Sequence, residues 1–228
     1  IYRKALYQCF DGFDKYFIPF IRAKQNLNFS GREKKDISLE NNSGMYAVPQ
    51  ILSRNADDFL RTANQLKEYG YQEVNLNLGC PSKTVVTKGC GAGFLARPEE
   101  LEQFLDRIFS KTDMKISVKT RLGMENAEEF PRLMEIYNRF PMEELIIHPR
   151  VQKDFYKNIP NLEIFGEALA ISKNSVCYNG DIFSADDFKR IHAQFPNVEC
   201  FMMGRGILAD PSLAREIRGG KAEIGRAS

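Results

Sequence analysis

Residues 73–95 read EVNLNLGCPSKTVVTKGCGAGFL, and the opening of this stretch decides the fold. The run 73–78 is strand-like, and Gly79 and Pro81 break it at once, so Cys80 is presented at a strand's end. A free cysteine is often no more than a small buried apolar residue. A place between glycine and proline at the close of a strand argues for exposure at a working surface instead. The glycines of KGCGAG (Gly89, Gly91, Gly93) permit positive φ and close approach to a flat ligand, although alone they would mark only a loop.

Outward from this segment a rhythm repeats. Strand-like runs are expected at 16–20, 45–52, 73–78, 115–119, 144–148, 175–179 and 199–203. Helix-like stretches lie at 56–69, 98–110, 127–140, 163–172, 184–195 and 211–218, with Asn55 and Ser184 placed as N-caps. Strands alternating with helices imply parallel pairing through right-handed crossovers. The expected fold is therefore α/β, a TIM (β/α)8 barrel. The chain opens on a helix-like stretch, IYRKALYQCF, so the barrel reads as missing its first strand. An open doubly wound sheet is the alternative.

In a barrel the chemistry sits at the C-terminal ends of the strands. The unusual residues fall there: Gln50, NLGCP after Asn75, KTR after Val118, HPR after Ile147, NGD after Tyr178 and GRG after Met203. The turns at Asn179–Gly180–Asp181 and Gly204–Arg205 close the last two strands, where barrels commonly bind phosphate. Lys119 ends an apolar strand, a costly position unless an anion or acceptor receives it or it reaches solvent. His148 ends the next strand in the same way. His192, on an outer helix, has no expected role.

Composition narrows the class. Basic and acidic residues number 32 and 30, for a net charge of +2, so an overall basic surface of the kind dedicated DNA binders carry is absent. No apolar run approaches a membrane span, and no signal peptide is apparent. The five cysteines show no CxxC spacing and there are two histidines, so neither a disulfide scaffold nor a metal centre is expected. A reducing cytoplasm is the expected compartment. The charged runs at 31–36 and 150–157 read as solvated loops on the catalytic face, able to touch RNA phosphates. Cys9, Cys177 and Cys200 read as packing residues.

NLNLGCPSKTVVTKGCGAGFL resembles the signature of the tRNA-dihydrouridine synthases, an Asn-x-Gly-Cys-Pro segment followed by a valine and a glycine-rich turn. VPQIL with Gln50, VKTRLG with Lys119, IIHPR with His148, CYNGDI and MGRGIL follow in the family's order, over about residues 2–218. The resemblance implies that 1–218 is an N-terminally truncated, FMN-binding catalytic barrel and 219–228 a C-terminal tail, without the helical RNA-binding domain of family members. It implies that Gln50, Lys119, His148, Asn179, Gly180, Asp181, Gly204 and Arg205 hold FMN, while Asn77 and Arg150 contact substrate. It further implies reduction of uridine in tRNA: NADPH reduces FMN, hydride passes to carbon 6 of uracil, and Cys80 protonates carbon 5. Two rivals remain, an FMN barrel acting on a free pyrimidine or enone, and a flavin-free truncated barrel that only binds RNA.

Overall fold

The computed structural model describes residues 2–25 and 28–220; most of the expected tail, residues 221–228, lies outside them. Seven strands form one sheet in sequential order: β1 (Tyr16–Arg22), β2 (Ala47–Leu52), β3 (Glu73–Leu78), β4 (Lys115–Arg121), β5 (Leu145–His148), β6 (Val176–Tyr178) and β7 (Cys200–Phe201). Every neighbouring pair is parallel. The sheet curls. Lys15, at the base of β1, reaches Glu73 at the start of β3 at 3.1 Å and Glu144 just before β5 at 3.6 Å. In a flat sheet β1 and β5 would stand four spacings apart, about 19 Å. The architecture is that of a partial TIM barrel, and among the described residues β1 and β7 do not pair.

The curl explains the composition of β3. Val74, Leu76 and Leu78 alternate with Glu73, Asn75 and Asn77, yet all six are buried. Alternation places the two sets on opposite faces, one toward the helices and one toward the barrel interior. The interior set meets a matching one on β4, in the register Glu73 to Lys115, Asn75 to Ser117 and Asn77 to Lys119. The apolar set belongs to a continuous core with Phe59, Leu66, Leu101, Leu105, Phe130 and Phe165 from the outer helices.

Those helices begin where the sequence supplies an acceptor. The side chain of Asn55 accepts from the Asp58 amide ahead of helix Ala56–Glu68, and Ser184 does so from Asp187 ahead of Ala185–Gln194. Helix Pro98–Lys111 starts on a proline, whose missing N–H costs nothing in a first turn.

Several expectations need correction. The run 31–36 is not a loop: Gly31–Ile37 is helical, and Ser30 and Glu33 close a capping box in which each side chain accepts from the other's backbone amide. The helix expected at 211–218 is shorter, Leu213–Ile217, and an unexpected short helix, Arg205–Ala209, precedes Pro211. Within 127–140 a 3-10 turn, Ala127–Glu129, precedes helix Phe130–Tyr137. The KGCGAG segment is more than a loop, since Gly91–Phe94 forms a 3-10 turn. Of the three packing cysteines only Cys177 is buried; Cys9 and Cys200 are exposed.

Candidate active site

A cavity of about 830 Å³ fills the barrel interior. Its wall includes Gln50, Asn77, Cys80, Lys119, His148, Asn179, Gly180, Gly204 and Arg205, which the strand ends bring together. Tyr16 and Phe17 of β1 and Cys200 and Phe201 of β7 complete it across the unpaired edges. His192 also lines it, stacked on Phe188 with ring centroids 5.5 Å apart, although the sequence suggested no part for it. Arg150 and Asp181 stand outside this lining.

Cys80 is held by a polar ladder. The Asn77 side-chain oxygen accepts from the amides of Gly79 at 3.1 Å and Cys80 at 2.9 Å. Its nitrogen donates to the Gln50 Oε1 at 2.6 Å, and Gln50 Nε2 donates to Asn75 at 2.8 Å. Asn75 donates in turn to Ser117 at 3.0 Å. Gly91 closes the loop from outside with φ of 57°; a Cβ there would stand 2.8 Å from the Cys80 carbonyl oxygen. Only glycine combines that conformation with that approach. The thiol is thus fixed by its backbone, at a half-buried position on the cavity wall.

Lys119 faces the same cavity from β4. Burial pushes its ammonium down to about 8, and the nearby Arg121 charge adds to the effect. It has neither hydrogen bond nor ion pair among the described residues. A lysine left so is poised for an anion or a ring acceptor entering the cavity.

His148 is neutral. Its Nδ1 lies 2.5 Å from the Asn179 carbonyl, which can only accept, so the proton sits on Nδ1. Arg150 Nη1 stands 3.4 Å from Nε2. Burial, with Lys119 and Arg121 nearby, drives the imidazole down to about 2.

Arg150 is turned inward, contrary to the reading of 150–157 as a solvated loop. Its side chain is 1% exposed, and it grips Asp181 through two hydrogen bonds of 3.1 and 2.5 Å. A guanidinium so placed needs a carboxylate more than a distant phosphate. Asp181 also accepts from Arg205 Nη2 at 2.5 Å, and Arg205 stacks on Tyr156 at 4.5 Å and Phe183 at 5.4 Å. What remains free in these turns is backbone: the amides of Gly180, Asp181, Gly204 and Arg205 have no acceptor among the described residues. A Cβ on Gly206 would stand 2.0 Å from the Ile182 carbonyl oxygen, so glycine lets these two turns approach.

One residue of the KTR strand end was given no role. Arg121 is 2% exposed and donates to the carbonyls of Gly79 at 2.9 Å, Val151 at 3.0 Å and Phe155 at 2.8 Å, tying the Cys80 loop to the loop after β5. The signal was its spacing, two residues beyond Lys119 on the same strand. Among the described residues no three His, Cys, Asp or Glu side chains gather as a metal site, and no helix is long and apolar enough to cross a membrane.

An α/β barrel with an interior cavity, a thiol and an unpaired lysine on its wall, and bare amides at two late turns belongs with the ligand-binding barrels that work at their C-terminal rim. The chain belongs to the dihydrouridine synthase (Dus) family, whose model matches residues 4–226. It is 28% identical over 191 residues to tRNA-dihydrouridine synthase B of Pasteurella multocida, covering 81% of this chain and 55% of that one. It is 30% identical over 152 residues to a tRNA-dihydrouridine(16) synthase of Pseudomonas syringae, covering 66% and 48%. With the Ralstonia nicotianae enzyme of the same name it shares 27% identity over 215 residues, covering 91% and 66%. The chain thus spans about half to two thirds of the length of these relatives.

Proposed function

We propose that this chain is the catalytic barrel of a flavin-dependent tRNA-dihydrouridine synthase, which reduces the carbon 5–carbon 6 bond of a uridine in tRNA. The observation that carries the reading is that Cys80, locked by Asn77 at the end of β3, and the unpartnered Lys119 of the adjacent β4 line one cavity. The residues present fit FMN. Lys119 and Gln50 suit the polar edge of an isoalloxazine ring, with His148 and Asn179 beside it. The unbonded amides of Gly180, Asp181, Gly204 and Arg205 suit its phosphate. Reduced by NADPH, bound FMN supplies a hydride for carbon 6 of the uracil.

The remaining work falls to this chain's own side chains. Cys80 Sγ donates a proton to carbon 5 and is reprotonated from solvent, so that hydride and proton together saturate the bond. Asn77, besides setting the Cys80 loop, lines the same cavity and would offer its remaining amide N–H to the uracil edge. The target base must leave its stack to enter, at a cost of a few kcal/mol that is lowest in a tRNA loop. The names of the relatives support tRNA as the partner, and a cytoplasmic setting follows from that partner and from unpaired thiols.

The test is mass spectrometry of nucleosides from unmodified tRNA incubated with the protein, FMN and NADPH, beside free uracil. Dihydrouridine formed in tRNA supports the proposal. NADPH consumed with free uracil and not with tRNA assigns the barrel to a small-molecule substrate, and a protein that takes up no flavin refutes both.

A further inference from the structure

Surface arginines in this protein almost all have partners. On the outer helices Arg61, Arg97, Arg107, Arg132, Arg139 and Arg190 each meet a carboxylate. Among the described residues, Arg22 and Arg54 alone of the arginines have neither a hydrogen bond nor an ion pair. Lys83 and Lys88 are equally unpaired through their side chains.

These four cations occupy one part of the rim. Arg22 ends β1 in register with Leu52 of β2, and Arg54 follows Leu52 by two residues. The Arg54 stem lies on the turn after Lys88: its Cδ is 3.3 Å from where a Gly89 Cβ would stand. Arg22, Arg54 and Lys88 all face the Cys90 thiol closely enough for their charges to act on it. Lys83 begins the short helix Lys83–Val86 of the same loop. Gly91, the next residue after Cys90, packs on Cys80 with its would-be Cβ 3.0 Å from the Cys80 Cβ. The cluster therefore borders the Cys80 loop from outside.

Like charges gathered without a counterion repel one another, and the fold gains nothing from the arrangement. A guanidinium free of carboxylates is also the group best matched to a phosphate. We infer that Arg22, Arg54, Lys83 and Lys88 form a surface that grips the phosphates of RNA nucleotides flanking the one that enters the cavity. The inference rests on the proposed RNA substrate. It accounts for an electrically balanced chain, 32 basic against 30 acidic, that still handles a polyanion: the charge is distributed unevenly rather than in excess.

The experiment uses the flavin-loaded protein and unmodified tRNA, with binding followed by fluorescence anisotropy across a KCl series. Arg22→Gln, Arg54→Gln and Lys88→Gln are compared singly and combined, with Arg97→Gln and Arg107→Gln as controls from the paired surface. Each rim substitution should lower the slope of log affinity against log salt by about one, and the combination by roughly two to three. The combined variant should bind at least about ten-fold more weakly at low salt. The controls should keep the parental slope, and flavin absorbance and melting temperature should be unchanged throughout. Parental binding with an unaltered slope in the combined variant overturns the inference alone. A parental protein that fails to bind tRNA overturns the functional reading and this inference together. Displacement of tRNA by polyglutamate as readily as by single-stranded RNA assigns the surface to acidic proteins and overturns it as well.

Discussion

The loss of Asp181 should be costly, because two arginines depend on it. One carboxylate serves two arginines, accepting from Arg150 at 3.1 and 2.5 Å and from Arg205 at 2.5 Å. Arg150 cannot turn to water, since its side chain is 1% exposed. Asp181→Ala therefore leaves a buried guanidinium without an anion, beside a His148 that Lys119 and Arg121 also face. Removing one partner of a buried pair typically costs about 3–5 kcal/mol. Asp181 is itself 32% exposed, so water can enter the space it leaves and the lower figure, about 3 kcal/mol, applies. For a chain of this size that corresponds to a fall in Tm of roughly 6–12 °C. Asp181→Asn keeps an acceptor of the same shape and should lose about half as much.

Thermal and urea denaturation of the flavin-free protein at neutral pH give the measurement. A double substitution sharpens it. Arg150→Met together with Asp181→Ala leaves neither charge stranded and should recover most of the loss. Because the Arg150 contact is buried, the effect should persist in high salt, unlike that of an exposed pair. An Asp181→Ala protein that melts within about 2 °C of the parent would show that the pair contributes little and that Arg150 finds another acceptor.

Three further outcomes are expected. Cys80→Ala should bind flavin as the parent does yet form dihydrouridine about 10²–10⁴-fold more slowly, the usual worth of a positioned acid; parental turnover would pass the role to another group. Lys119→Met should raise the stability of the flavin-free protein by roughly 1–3 kcal/mol, since an ammonium pushed from 10.5 to about 8 is held at a cost, while flavin affinity falls; unchanged affinity would place the lysine outside the flavin site. His148 stays neutral in the fold but takes a proton in the unfolded chain below about 6.5, so its contribution is complete above that pH and is lost as pH falls, by about 2 kcal/mol at pH 5; a His148→Gln protein whose stability declines as steeply between pH 6.5 and 5 would refute this.

How far the sequence led depended on the range of the interaction involved. Strand ends and caps are local, and Gly79, Pro81, Asn55 and Ser184 announced them. The capping box at Ser30 and Glu33 was equally local, but the charge of GREKKD drew the reading toward a loop. Arg150 was misplaced for a different reason. Its partner lies 31 residues away, and only the pairing of β5 with β6 brings the two together. A basic residue in a polar run looks solvated until the fold supplies a buried anion. Arg121 went unassigned on the same ground, since its three acceptors are backbone carbonyls of loops with no sequence signature.

The position of Cys80 joins these two scales. Its neighbours Gly79 and Pro81 end the strand, but they do not choose where the thiol points. That is decided by Asn77, whose side-chain oxygen accepts from the Gly79 and Cys80 amides and whose nitrogen donates to Gln50. Gln50 is anchored by Asn75, and Asn75 in turn reaches Ser117, so three adjacent strands fix one loop. Each of these groups is buried, and leaving any one unsatisfied would cost about 1–3 kcal/mol. The polar alternation in β3 is thus the means by which the curled sheet aims its thiol, and it explains why a strand buried along its whole length carries two asparagines. Lys119, in register beside Asn77, is the one cavity cation among the described residues with neither a hydrogen bond nor an ion pair. That unpaired ammonium, beside a ladder whose amide groups are paired, is the one the proposed flavin site would use.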